Sequence, residues 1–442
     1  MLEILKIRSF RHLFMAQIVA LLGTGLATVA LGLLAYDLSG QDAGMVLGIV
    51  FGIKMVAYVG IAPVAGAFAN YVPRRTLLVA LDCVRGFIAC LLPFVGEVWQ
   101  IFVLIFVMQA ASAAFTPTFQ ATLPDILPEE KDYTRALSLS RLAYDLESII
   151  TPTLAAFVLI FASYHALFYG TAIGFIGSGL LIVSVLLPSP APDSKRRSVY
   201  ERTTRGIRIY FATPRLRGLL ALCMVVASIG AMVLVNTVVL VQSELGLDAV
   251  YVAYTLGAFG GGSMLVALVM PRLLDHLPDR QMMLTGASIM VATLAALFIV
   301  SGAGHFSWLS LLVSWVFVGA GYSAVLTPSG RLLQRSSHKE DRPALYAAQF
   351  ALSHACWLIS YPLSGFLQTR FGMDVTLGVL SLIGFISLVA ASQIWPAKAK
   401  RDLYHTHPDL PDNHPHLEGS DHTKGHSHTY VIDDYHTQWP HR

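Results

Sequence analysis

The chain has 442 residues, of which 55% are hydrophobic and only 13% charged, and its formal net charge is +3. That is too little charge to coat a soluble globule of this size, which excludes a soluble protein. A balance so near neutrality leaves no basic footprint for nucleic acid, and none is expected as a partner.

The amino terminus places Lys6, Arg8 and Arg11 ahead of an apolar run. The run is longer than a signal-peptide core and lacks a clean cleavage site, so it reads as a first transmembrane helix that stays. About twenty apolar residues span a bilayer as a helix. Twelve such stretches can be marked: 13–36, 45–69, 76–96, 99–121, 135–161, 166–187, 216–242, 250–274, 282–302, 307–330, 344–369 and 374–395. Trp99, Trp308 and Trp395 sit near span ends, where indole rings favour the headgroup zone.

Charge sets the expected orientation. Loops on the amino-terminal side carry Arg74/Arg75, Lys131/Arg135, Lys195 through Arg217, Arg272/Arg280, Arg331/Arg335/Lys339/Arg342 and Lys398/Lys400/Arg401. Loops on the other side carry essentially Arg370 alone. The positive-inside rule then puts both termini in the cytoplasm, which requires an even number of spans.

The chain also repeats itself. Ser112-Ala-Ala-Phe-Thr-Pro117 matches Ser323-Ala-Val-Leu-Thr-Pro328, Asn70-Tyr-Val-Pro-Arg-Arg75 matches Asp275-His-Leu-Pro-Asp-Arg280, and Pro152 matches Pro362. All offsets fall between 205 and 211 residues. Two six-helix halves in parallel orientation are implied, 1–187 and 216–396, joined by a polar linker, 188–215. In the linker, Val199, Ile207, Tyr210 and Phe211 can share one helix face, with Arg202, Arg205 and Arg208 on another. Such a helix is expected to lie on the inner leaflet. Cys83, Cys90, Cys223 and Cys356 all fall in apolar stretches, and no disulfide is expected.

The segment 397–442 breaks the pattern and reads as a disordered tail. It holds His405, His407, His414, His416, His422, His426, His428, His436 and His441, out of 15 histidines in the chain. Neutral imidazole is a ligand for nickel, copper, zinc and iron. The spacing is not a zinc-finger pattern and implies no fixed site. The bland alternative is a solvated tail.

Ionisable groups inside a bilayer need an explanation. Asp82 and Arg85, three apart in span 3, suit a structural or gating pair. Arg141 and Asp145, four apart in span 5, can also pair, which leaves Glu147 near mid-membrane without a local partner. Glu147 either binds a cation or exchanges a proton, or it is a buried acid hydrogen-bonded to Thr151 or a neighbouring helix. Lys54 in span 2 is a proton-carrier candidate, because apolar surroundings disfavour its charged form. Its structural alternative is an ion pair with Glu147 or Asp37. His354 in span 11 is a ligand candidate or a hydrogen-bonded structural histidine, and spans 2 and 11 are expected to bring it beside Lys54 and Met55. Gln17, Thr24, Gln109 and Asn236 either line a polar route or tie helices together. Clustered glycines, among them Gly257/Gly260/Gly261/Gly262 and Gly319/Gly321, suit close packing or bending. No phosphate loop and no nucleophile–base constellation occurs, so neither ATP nor enzymatic chemistry is expected.

Twelve helices in two halves with a basic turn between spans 2 and 3 resemble the major facilitator superfamily. Gly66, Arg74 and Arg75 fit that superfamily's turn motif, while Asn70, Tyr71 and Pro73 depart from it, and the second copy keeps an acid at Asp275. The resemblance implies a gating or structural role for Asn70, Arg74, Arg75 and Asp275. Ser9-Phe-Arg-His-Leu-Phe14, Asp82-Cys-Val-Arg85 and Thr151-Pro-Thr-Leu-Ala155 resemble prokaryotic exporters that include macrolide and siderophore efflux pumps. Leu22 to Leu31, Ala35-Tyr-Asp-Leu38, Lys54-Met-Val-Ala-Tyr58 and the histidine tail resemble nickel-resistance exporters of the NreB type. That resemblance implies a monomer in a bacterial inner membrane exporting Ni²⁺ or Co²⁺ against H⁺, without a tightly bound cofactor. Export of organic molecules and membrane metal sensing are the alternatives.

Overall fold

The computed structural model describes residues 2–39, 43–68, 71–188, 199–247, 249–396, 402–406 and 426–440. The first six long helices are α1 (Arg8–Ser39), α2 (Ala43–Phe68), α3 (Arg74–Leu91), α4 (Val98–Ile126), α5 (Glu130–Phe161) and α6 (His165–Val183). A shorter helix, α7 (Val199–Ala212), leads to α8 (Pro214–Val238), α9 (Ala249–His276), α10 (Asp279–Gly302), α11 (Trp308–Leu326), α12 (Ser329–Gln334) and α13 (Arg342–Ile394).

Among the described residues, ten helices are long and apolar enough to cross a membrane. Two features separate this number from the twelve stretches of the sequence. Helix α5 is 32 residues long but carries Arg141, Asp145 and Glu147 along with a charged first turn. Helix α13 runs for 53 residues and contains both of the last two stretches. Gly372 divides it, at φ 79° and ψ −176°, a backbone conformation that glycine reaches without a Cβ clash.

Burial explains how the helices assemble. One core draws on residues 209 to 432, with Ala121 as its single earlier member, and is centred on Leu222, Val226, Ile229, Met290 and Trp315. Two others draw only on residues 4 to 182. Outside these cores Phe87, Phe94, Ile160, Phe161, Leu180 and Ile299 stand exposed on the flanks. In water such a surface drives aggregation, whereas lipid tails solvate it. Hydroxyls inside the bundle are satisfied locally, as where Thr118 and Thr122 donate to the carbonyls four residues back at 2.8 Å.

Helices α9 and α11 meet backbone to backbone. A Cβ on Gly262 would lie 2.0 Å from the Val316 carbonyl oxygen, and one on Gly319 would lie 1.9 Å from that of Phe259. Small residues permit this approach where lipid offers no hydrophobic drive between helices. Gly257, Gly260 and Gly261 instead face open space. Gly319→Leu must force the pair apart, and a loss of about 3 kcal/mol or more is expected. A thermal scan of the detergent-purified variant should show an earlier transition, and an unchanged one would contradict this packing.

The linker helix α7 is docked on the bundle. It packs on α2 and α13, with Ile209 and Tyr210 buried and the Tyr210 hydroxyl donating to Gln349 Oε1 at 2.5 Å. On its other side Arg205 meets Asp341 and Asp434. In the tail, expected to be disordered, the described residues form a short pair of strands. Strand β1 (Asp402–His405) pairs antiparallel with β2 (His426–Thr429), setting His405 opposite His426 and Leu403 opposite His428. Tyr430 and Ile432 then join the larger core. His407, His414, His416 and His422 lie outside the described residues.

Candidate functional site

The first described residues, the segment 430–439, the start of α10 and the α2–α3, α4–α5 and α12–α13 turns meet through side-chain contacts at one face of the bundle, called here the terminal face. Charged pairs seal it between the two sets of helices. Asp125 at the end of α4 accepts from Arg74 of α3 and from Arg342 of α13, the latter at 2.6 Å. Arg74 also donates to the Ala121 carbonyl at 3.2 Å. Glu130 at the start of α5 takes Arg331 and Arg335 from α12 and its end. Arg335 also meets Asp279 of α10 at 2.5 Å. Between these clusters the Tyr133 and Tyr346 hydroxyls stand 2.5 Å apart, and Tyr346 donates to the Gly330 carbonyl at 3.1 Å.

The repeat organises this lock. Arg75 donates to the Val183 carbonyl at the end of α6, and its counterpart Arg280 donates to the Ser392 and Trp395 carbonyls at the end of α13, at 2.9 and 2.8 Å. Both bind carbonyls that a helix end leaves unpaired. The position before them changes sign, Arg74 in the first copy and Asp279 in the second. Asp275, the acid expected to gate in the second copy, stands exposed, and Asp279 takes the arginines instead. Asn70 lies outside the described residues.

A second polar group lies deeper, where α2 meets α13. Lys54 sits with its ammonium 5.6 Å from the centre of the Tyr58 ring. Tyr58 donates to Gln109 Oε1 of α4 at 3.1 Å and meets the His354 ring edge-on at 4.8 Å. Phe350 closes the other side of His354, with ring centres 4.2 Å apart. His354 Nδ1 lies 2.7 Å from the Phe350 carbonyl oxygen, which can only accept, so Nδ1 carries a proton and the neutral ring has its lone pair on Nε2. A cavity beside Lys54 is lined by Thr24, Thr28, Leu47, Met108 and Gln109.

Glu147 faces this group from α5. Thr151 donates to it at 3.2 Å, and Gly25 on α1 leaves it room, since a Cβ there would lie 2.3 Å from its Oε1. Lys54 and Glu147 attract each other without an ion pair between them. Asp37, the other acid considered for Lys54, accepts from Tyr164 at 2.7 Å near the opposite end of α1.

The remaining candidates separate into helix ties and a bridge. Asp82 and Arg85 pair as their spacing predicts, with Ser178 donating to Asp82 at 2.7 Å and the guanidinium 4.0 Å from the Phe115 ring centre. Gln17 accepts from Ser140 at 2.9 Å, and Asn236 donates to Ser364 at 2.8 Å. Arg141 does more than hold Asp145 at 2.5 Å. It donates to Ser263 of α9 at 3.1 Å and lies 4.7 Å from the ring centre of Tyr322 on α11, bridging α5 to the later helices.

The ordered tail end makes a third cluster. Asp433 Oδ1 accepts from His436 Nδ1 at 2.9 Å, and its other oxygen lies 3.4 Å from His338 Nε2. Burial works against the Asp433 charge, but hydrogen bonds from both histidines hold its carboxyl well below the usual range. The same bond raises His338 above the ordinary imidazole range. Among the described residues no group of three or more histidines, cysteines or acids is arranged to hold a metal ion.

An apolar helical bundle with charged groups buried at its waist, and a face sealed by ion pairs between its two sets of helices, is a membrane transporter. The chain belongs to the Major Facilitator Superfamily, whose model matches residues 13–311 and 220–406. It is thus a multi-pass membrane protein. An uncharacterised transporter of this type from Bacillus subtilis, YfiS, is 24% identical over 394 residues, 85% of this chain and 92% of that protein. Macrolide efflux protein A of Streptococcus pyogenes is 21% identical over 184 residues, 40% of this chain and 45% of that protein. The crystal structure of the human organic anion transporter MFSD10 superposes with a TM-score of 0.74 at 10% identity, covering 87% of this chain and 99% of that one.

Proposed function

We propose that this protein is a secondary exporter of a divalent transition-metal ion, Ni²⁺ foremost and Co²⁺ next, driven by proton antiport. Two six-helix halves, 1–187 and 216–396, rock about a central site that opens in turn to each side. Counting α5 and both arms of α13 brings the spans to twelve, an even number that suits both termini in the cytoplasm of a bacterial inner membrane. The terminal face is then the cytoplasmic one, and the structure is the state closed to the cytoplasm.

The observation that carries this reading is the meeting of Lys54, Gln109 and Glu147 from one half with His354 from the other. Glu147 and the Nε2 lone pair of His354 are donors for a partly hydrated cation. Few ligands suit an ion that must also leave. Lys54 repels that cation while charged, so proton uptake favours metal release. The tail histidines raise metal concentration near the inner mouth, and no tightly bound cofactor takes part.

A second reading, export of organic molecules, is favoured by the partial likeness to macrolide efflux protein A and by the aromatic wall of Tyr58 and Phe350. One experiment separates them. Radioactive nickel is followed in a nickel-sensitive bacterium with the native chain, with Glu147→Gln/His354→Ala, or with neither, alongside macrolide susceptibility. Lower nickel with the native chain alone is expected. Equal nickel in all three, with the protein in the membrane, would overturn the metal reading, and a macrolide phenotype would put the second in its place.

A further inference from the structure

Residues 430–439 are seated on the terminal face. Tyr430, Val431 and Ile432 are buried, and the Tyr430 ring meets those of His436 and Trp439 at 4.6 and 5.2 Å. Trp439 in turn lies under Arg215 at the start of α8. Asp433 reaches His338 in the turn before α13. Asp434 accepts from Arg205 of α7 at 2.7 Å. Arg205 also grips Asp341, the residue just before Arg342 of the lock, through two nitrogens. Burial disfavours its charge, yet the two carboxylates hold the Arg205 guanidinium above its usual range.

The other end of the histidine-bearing segment is also fixed. Trp395 is buried in the same core and receives Arg280 on its carbonyl. The tail is therefore anchored on the later helices at Trp395 and at 430–439, with seven of its nine histidines between the anchors in sequence.

We propose that residues 430–439 are a strap that holds the terminal face closed. It clamps α7 through Arg205 and the α12–α13 turn through His338, and so restrains Asp341 and Arg342 beside Asp125. Helix α7 spans α2 and α13, whose separation is required for this face to open. The strap must slacken when the halves rock apart. This inference rests on the rocking of two halves and on no particular substrate.

The test reads the distance between spin labels on Lys131→Cys at the start of α5 and Arg272→Cys near the end of α9, in a Cys83→Ser/Cys90→Ser background. The protein is purified and monodisperse, so loss of yield does not imitate the effect. Three chains are compared: full length, Asp434→Asn/Trp439→Ala, and a chain ending at Thr429. Loss of the Arg205 pair and the ring contacts should raise the open fraction at least about threefold in both variants. An unchanged distribution in both, or a shift in the truncated chain alone, overturns the strap. A single distance in all three, unmoved by pH or by added nickel, instead removes the rocking on which it rests.

Discussion

Asp125→Asn should drive the protein out of the closed state. The carboxylate accepts from Arg74 of its own half and from Arg342 of the other, and Arg74 and Arg342 are both almost wholly buried. Asparagine keeps the shape and removes the charge, leaving two guanidinium groups facing each other. Stranding buried charge in this way costs about 3–5 kcal/mol. The penalty falls on the closed state alone, because Arg342 regains water when the halves part. A shift of roughly 10²- to 5 × 10³-fold toward the open state follows. Cysteine accessibility from the terminal side, or label distances across that face, would detect it. A variant that stays as closed as the native protein would show that this cluster does not set the equilibrium.

Lys54→Met is expected to abolish transport, a loss of about 10²-fold or more in rate. Lys54 is the cation of the central group, and it attracts Glu147 while lying beside the Tyr58–His354 pair. Methionine fills the same volume without charge or exchangeable proton. Lys54→Arg separates the two properties, since arginine keeps the charge and does not release its proton. If Lys54 carries a proton, arginine fails as methionine does. If only its charge is needed, arginine restores much of the rate. Nickel efflux from loaded vesicles under an imposed proton gradient measures both, and native rates with methionine would remove Lys54 from the mechanism.

Much of this was legible in the sequence where interactions are local. The apolar stretches became helices, and the pairs Asp82–Arg85 and Arg141–Asp145 formed within one turn, as spacing requires. The meeting of spans 2 and 11 followed from the repeat, and Tyr58 against His354 is where it happens. The lock was not legible. Asp125 with Arg342 and Glu130 with Arg335 are joined across more than 200 residues, and no local pattern marks them. The repeat held an unused signal, since Arg74 and Asp279 occupy equivalent places with opposite charge. The strap was missed for another reason. Tyr430, Val431, Ile432 and Trp439 are too few to form an apolar run within a polar segment, and their burial depends on a surface built by distant helices.

The inverted sign of the repeat has a consequence for kinship between the halves. Had both copies kept the same charges, each half could seal against a duplicate of itself. As built, two first halves would set Arg74 and Asp125 against identical partners and bring Glu130 to a face without Arg331 or Arg335. The halves therefore recognise each other as unlike partners. A single chain that carries both supplies the two unlike partners in equal number.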